Sequence, residues 1–294
     1  MSNTWISYHA FLWDYTLFDE FLCDLFLELK KHSIKDFFFI RYWKGGPHIR
    51  LRVQKKNSQT ENDAHRILTV SLEKIIGRHP EILNKKIDKL EFYKNSFLDG
   101  QQLDIKKLPW YSNGTIVKIP YERENERYGG KEFISLSETA FVKSTHLVQK
   151  LLGVHPDGIK KIIIFFSTTT QVLDYVYSVD FADKINFINF SYEYWNQYYF
   201  KSNILNDTAE RIWKLSKINN MSFYDSLPTF RDLVKQLKFI TDEISEKKGN
   251  RYSWSVLFSQ IHMFANRLGV SIEVEHAYYK FINQLIMKGG KSDI

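Results

Sequence analysis

The stretch FFFIRYWKGGPHIRLRV, residues 37–53, restricts the fold more than any other part of the chain. Two runs of aromatic and branched residues flank Lys44-Gly45-Gly46-Pro47, and glycine with proline at a reversal is hairpin chemistry. Strand side chains alternate between faces, so His48, Arg50 and Arg52 share one side of the second strand and Ile49, Leu51 and Val53 the other. One side suits a core; the other is cationic. Pairing Trp43 with His48 across the turn sets Arg41 opposite Arg50, and like charges so placed repel unless an anion lies over them. In a chain richer in lysine this face uses arginine, whose planar fork suits a carboxylate or phosphate. A solvated sheet face with acidic neighbours from elsewhere explains the same pattern.

Around the hairpin, residues 4–12 read as a strand. Leu17, Phe21, Leu22, Leu25 and Leu29 recur at helical spacing up to Lys31, and a second helix runs from about Glu61 to Ile76 with Ser58 as its cap. Residues 80–120 read as irregular chain with strand-like pieces, KLEFY and GTIVKIPY. The order β, α, β, β, α, β predicts an α+β fold. Its N-terminal α/β sandwich, with a mixed or antiparallel sheet over 1–130, packs on a mainly helical half, 131–294. In that half, helical periodicity covers Ser135–Leu152, Ser167–Tyr177, Asp180–Tyr199, Thr208–Ile218 and three further stretches up to Met287, while IIIFF at 162–166 reads as a buried strand. No repeat or flexible linker separates the halves, so 1–294 is expected to be one domain.

A chain of 294 residues can bury a large core without staples. Cys23, the single cysteine, has no disulfide or zinc partner and sits in the helical pattern FDEFLCDLFLELKK, where it reads as buried packing. The N-terminus lacks a secretory pattern and no apolar run reaches the roughly 20 residues of a membrane span, so a cytoplasmic protein is expected. The net charge of +7 fits an acidic peptide, nucleic acid or a plainly solvated lysine-rich surface, and solvation takes the larger share.

Two other segments look chosen. YERENERYGG, residues 121–130, crowds acids and arginines onto one loop ending in a glycine pair. The glycines permit a tight bend that presents Arg127 and Tyr128, and Glu124 can hold Arg127 by a hydrogen bond. A surface loop laced with weak ion pairs is the plainer alternative. In RYSWSVLFSQIHMFANRLG, residues 251–269, Trp254, Leu257, Phe258, Ile261, Ala265 and Leu268 form an apolar stripe, beside which run Ser255, Ser259, His262 and Asn266. A histidine at a core edge is usually structural; in a polar row it is also a plausible proton carrier.

His48, His262 and His276 lack metal-binding spacing, and no HExxH, CxxC or carboxylate cluster appears, so no metal is expected. Without GxGxxG, GxxxxGK[ST] or GxSxG, hydride transfer and ATP-dependent chemistry lose support, and no cofactor is expected.

Taken in order, FFIRYWKGGPHIRLR, YERENERYGG and IHMFANRLG resemble signature segments of the C-terminal elimination domain of lantibiotic dehydratases, which also occurs free-standing in thiopeptide-type pathways. The likeness spans nearly the whole chain. It implies a lyase that expels glutamate from glutamylated serine or threonine of a ribosomally made precursor peptide, leaving dehydroalanine or dehydrobutyrine. Arg52, Arg127 and His262 match the family's catalytic positions. Arg50 and Glu124 match residues around the same pocket, and Arg41, His48, Tyr128 and Asn266 complete the expected substrate-binding set. The longer glutamylating portion is not in this sequence, so the resemblance implies a separate tRNA-dependent protein that supplies the glutamylated peptide.

A glutamate esterified through its α-carboxyl carries a free carboxylate and an ammonium. On that chemistry Arg52 and Arg127 hold the adduct and the departing carboxylate, and Glu124 orients Arg127 or meets the ammonium. His262 is the base for the peptide α-proton or the acid assisting departure. Two rivals share the fold: a pyridine synthase joining two dehydroalanines by a formal cycloaddition, and a non-catalytic peptide-binding subunit of a modification complex. Direct tRNA binding ranks last, for want of a recognised module or a dense basic stripe. A homodimer is left open.

Overall fold

The computed structural model describes residues 4–95, 104–199, 206–218 and 226–288. The chain divides into two compact units, Met1–Glu122 and Arg123–Ile294, a division that falls inside YERENERYGG.

In the first unit the described strands form one antiparallel sheet in the order β2-β3-β1-β4, with β1 Trp5–Phe11, β2 Phe37–Tyr42, β3 His48–Gln54 and β4 Ile116–Lys118. Central β1, WISYHAF, is buried along its whole length, which its aromatic and apolar content allows. Helices α1 (Phe18–Lys31) and α2 (Gln59–Arg78) cover one face. There Phe26 of α1 meets Phe37 and Phe39, and Tyr8 meets His65 of α2. The expected α+β order holds, with one addition. KLEFY forms a short helix, α3 (Lys89–Asn95), because Asp88 accepts from the Glu91 amide at 2.8 Å and starts a helical turn. Part of the stretch read as irregular, 96–103, lies outside the described residues.

Two local expectations change. Ser58 already has helical angles and makes no side-chain cap; Asn57 Oδ1 accepts from the Thr60 amide at 2.9 Å instead. Cys23 is only half-buried, with burial and neighbouring acids raising its thiol pKa.

The hairpin register also differs from the expected one. Tyr42, not Trp43, pairs with His48, so Ile40 faces Arg50 and Arg41 faces Ile49. Residues 43–47 form the turn, where Gly45 and Gly46 have φ of +107° and +103°. A Cβ on Gly46 would lie 2.8 Å from Trp13 Nε1. This longer turn shifts β2 by one residue, and a one-residue shift moves every β2 side chain to the opposite face. Arg41 therefore leaves the cationic face and bonds Asp19 of α1 at 2.6 Å.

The second unit is helical throughout its regular elements: α4 Ile134–Leu152, α5 Gly158–Val176, α6 Phe181–Tyr199, α7 Asn206–Ile218, α8 Pro228–Lys248, α9 Asn250–Leu268 and α10 Ile272–Met287. IIIFF lies in α5, not in a strand. A short apolar run cannot tell helix from strand, but Asp157 caps this one by accepting from the Lys160 amide at 2.8 Å. Phe165, Phe166, Thr169, Val172, Leu173 and Val176 then continue the buried face at helical spacing. Helix α9 contacts α4, α5, α6, α8, α10 and the 126–128 turn, which makes it the axis of the unit's core. No helix among the described residues is long and apolar enough to cross a membrane.

Candidate active site

Each unit carries one cluster of the predicted residues. In the first, alternation along β3 puts His48, Arg50 and Arg52 on the sheet face away from α1 and α2, together with Phe38, Tyr42, His9 and Phe11. This face is not a solvated cationic surface, since His48 is fully buried and Arg52 is 6% exposed. Aromatic rings surround the cations. The Arg50 guanidinium lies 3.4 Å from the Tyr42 ring centroid, and that of Arg52 lies 5.3 Å from Tyr121 and 5.8 Å from Phe38. Cation–π contact at desolvated sites offsets part of the burial cost of such charges.

His48 has both ring nitrogens engaged. Nδ1 donates to the Gly46 carbonyl at 2.7 Å, which leaves Nε2 to accept from Arg50 Nε at 3.2 Å. Its ring stacks on His9 at 4.9 Å. Burial, then the charges of Arg50 and Arg52, holds the His48 pKa down at about 3, and the same causes depress that of His9. His48 is thus neutral, fully buried, and a prop for the Arg50 guanidinium.

The second unit separates the two arginines of YERENERYGG. Arg123 makes a bidentate pair with Glu138, at 2.7 and 2.8 Å, and Glu138 is 1% exposed. Glu138 is enclosed while the Arg123 side chain is partly exposed, and leaving so buried a carboxylate unpaired is costly, so Arg123 is committed to the fold. Arg127 meets Glu124 at 3.4 Å across a carboxylate that is 62% exposed. Exposed pairs of that kind contribute about 1 kcal/mol or less, so Glu124 can orient Arg127 without holding it captive.

The loop beneath Arg127 is fixed by side chains reaching its backbone. Tyr252 donates to the Glu126 carbonyl at 2.7 Å, Ser137 to that of Tyr128 at 3.0 Å, and Lys248 to that of Gly129 at 2.9 Å. Gly129 has φ of +101°, and a Cβ there would fall 2.6 Å from Phe133 Cβ. Tyr128 packs edge-on against Phe141 and is 4% exposed, so it anchors the bend from the core rather than lying open to a ligand.

His262 sits on α9 with its side chain 13% exposed and its ring 5.4 Å from that of Trp195. Nδ1 is 2.8 Å from Oε1 of Glu275, a 1%-exposed carboxyl on the first turns of α10. Burial raises the Glu275 pKa, while the His262 hydrogen bond and the charges of His262 and Arg127 pull it back. Arg127, Glu275 and His262 therefore share one electrostatic neighbourhood. Asn266 lies one turn further along α9, half-buried. Glu275 is absent from the residues that sequence spacing singles out. Its signal is an acid in the buried stripe of Glu275, Tyr278, Tyr279 and Ile282, where an unpaired carboxylate is costly.

A family model described as lantibiotic biosynthesis dehydratase C-term matches residues 5–286. The chain belongs to the lantibiotic dehydratase C-terminal family. Among relatives, nisin biosynthesis protein NisB from Lactococcus lactis subsp. lactis is 26% identical over 264 residues, which is 85% of this dehydratase-family chain and 22% of NisB. The chain thus spans less than a quarter of that curated relative.

Solved structures share the lantibiotic dehydratase C-terminal fold at lower identity. The pyridine synthase TbtD from thiomuracin biosynthesis superposes with a TM-score of 0.63 at 14% identity, covering 97% of this chain and 98% of TbtD. The tRNA-dependent lantibiotic dehydratase MibB from Microbispora sp. 107891 gives 0.55 at 15% identity, over 99% of this chain and 29% of MibB. At such identities these two establish the fold alone.

Proposed function

We propose that this protein is a lyase that eliminates glutamate from glutamylated serine or threonine of a ribosomally made precursor peptide. The observation that carries the proposal is a histidine, His262, whose Nδ1 is bound by a buried carboxylate beside the charge of Arg127. An imidazole can both take up and release a proton, which suits proton transfer. A guanidinium whose charge reaches the same Glu275 carboxyl suits a departing carboxylate.

In the reaction, the Cα–H of the esterified residue gives its proton to a base, and its electron pair becomes the Cα=Cβ bond. The Cβ–O bond breaks with its electrons on oxygen, so glutamate leaves as its α-carboxylate. Negative charge that builds on the peptide carbonyl oxygen in passing needs fixed positive neighbours. Arg127 and Arg52 are the assigned cations, and Arg50 and Glu124 the assigned substrate-binding residues. His262 moves the proton. Arg52 stands on a desolvated, aromatic-lined sheet face, where its charge acts through a low local dielectric.

This activity needs a glutamylated peptide, so the proposed partner is a separate tRNA-dependent glutamylating protein in the cytoplasm. A second reading is favoured by one comparison: the pyridine synthase TbtD matches this chain almost end to end. Cycloaddition of two dehydroalanines has no glutamate to grip, however, and gives paired arginines less to do.

The test is to mix the purified protein with a peptide bearing a glutamyl-serine ester and follow its mass. Release of free glutamic acid with a dehydroalanine peptide is the expected result. An unchanged ester, with ring formation from a bis-dehydroalanine peptide, supports the synthase reading instead.

A further inference from the structure

Glu275 is a buried acid on a different helix from every residue assigned above, and its contacts define how His262 works. Ser271 precedes α10 in extended conformation, and Glu275 lies near that helix N-terminus, where the backbone amides favour negative charge. Oε1 is 2.8 Å from His262 Nδ1, and Oε2 has no hydrogen-bond partner among the described residues. The carboxyl is 1% exposed. A carboxylate so enclosed makes its best interaction by accepting the imidazole N–H, so Nδ1 carries the hydrogen and Nε2 keeps its lone pair.

We infer that Glu275 is a positioning residue that holds His262 in the Nδ1–H tautomer, directs Nε2 at the substrate, and stabilises the imidazolium formed when Nε2 takes a proton. The inference rests on the proposed elimination for its chemistry and decides the role of His262 within it. His262 is the base. The substrate Cα proton moves to Nε2, the C–H electron pair forms the double bond, and glutamate departs with the Cβ–O electrons. The imidazolium later returns its proton to solvent. Glu275 touches no reacting atom; it acts through His262. The other charged groups acting on Glu275 are Arg127, whose charge favours its ionised form, and Glu273, whose charge opposes it.

The geometry makes Glu275 more than a filler of the core. A purely structural hydrogen bond to His262 needs no negative charge, and a neutral amide oxygen in place of the carboxylate would accept it as well. Base catalysis through Nε2 needs the hydrogen on Nδ1 and a negative charge behind it as the ring becomes positive.

The test uses the full chain with ring-15N histidine, the His262 signals being identified by their loss in His262→Asn. Wild type is expected to show a protonated Nδ1 and a bare Nε2 in the neutral ring, and Glu275→Leu a shift toward Nε2–H. Glu275→Gln, which keeps shape and an acceptor but not the charge, is expected to lower kcat on the glutamyl-serine peptide at least about tenfold, with KM within about twofold. Should Glu275→Leu not fold, the wild-type tautomer and the Glu275→Gln kinetics still decide. An Nε2–H tautomer in wild type, or an unchanged kcat in Glu275→Gln, overturns the inference. Failure of wild type to release glutamate counts against the elimination reading, while the tautomer signal continues to report on Glu275.

Discussion

The Tyr252 hydroxyl of α9 donates to the Glu126 carbonyl at 2.7 Å, tying the backbone immediately before Arg127 to the helix that bears His262. A hydrogen bond of this kind contributes about 1 kcal/mol to stability, yet it fixes the carbonyl next to a proposed catalytic cation. Tyr252→Phe is therefore expected to reduce kcat for elimination by about tenfold while moving the unfolding free energy by about 1 kcal/mol. Steady-state kinetics and urea denaturation on the same preparation check both halves.

Gly129 allows a sharper test of the same loop. Its φ is +101°, and an added Cβ would fall 2.6 Å from Phe133 Cβ and 2.9 Å from Ile244 Cδ1, so alanine there is both strained and overpacked. Gly129→Ala is expected to cost about 2 kcal/mol or more and to abolish most elimination. Denaturation followed by circular dichroism, with activity measured on the folded fraction, reads the two effects apart.

His48 predicts an acid-side loss of stability. In the fold it is neutral, with burial as the main cause and a pKa held at about 3 against an ordinary value of 6.5. The unfolded chain therefore binds more protons below about pH 6.5, so the stabilisation is complete above that pH and falls as the pH drops towards 3. His9, stacked on it, acts in the same direction, and both face the charges of Arg50 and Arg52. Lowering the pH from 6.5 to 4 is expected to remove on the order of 3 kcal/mol through His48. Chemical denaturation across that range, compared with His48→Gln, checks the slope; the variant should be flatter.

Arg41 separates stability from chemistry. Its guanidinium bonds Asp19 on the helix-covered side of the sheet, with its side chain 11% exposed. Asp19→Asn is expected to lower stability by about 1–3 kcal/mol while leaving kcat within about twofold. Unfolding curves and turnover of the folded variant test this.

The hairpin was legible because its period of two is written locally, and the face shared by His48, Arg50 and Arg52 followed directly. Its register was not, because it turned on whether Trp43 belonged to the strand or the turn, and that one residue sent Arg41 to the other face. The polar row of α9 was likewise legible from helical spacing. Its partner Glu275 was harder to see, since the contact joins two helices and only packing brings them within 2.8 Å. The arginines of YERENERYGG look equivalent in sequence. Only the buried Glu138 distinguishes Arg123, fixed in the structure, from Arg127.

The most direct measurement is single-turnover mass spectrometry of a glutamyl-serine peptide with Arg52→Lys, Arg127→Lys and His262→Asn, each confirmed folded. The account predicts that all three leave the glutamylated ester in place while wild type converts it to dehydroalanine and glutamic acid, with losses of about 100-fold or more in rate. Wild-type rates in all three variants would contradict it.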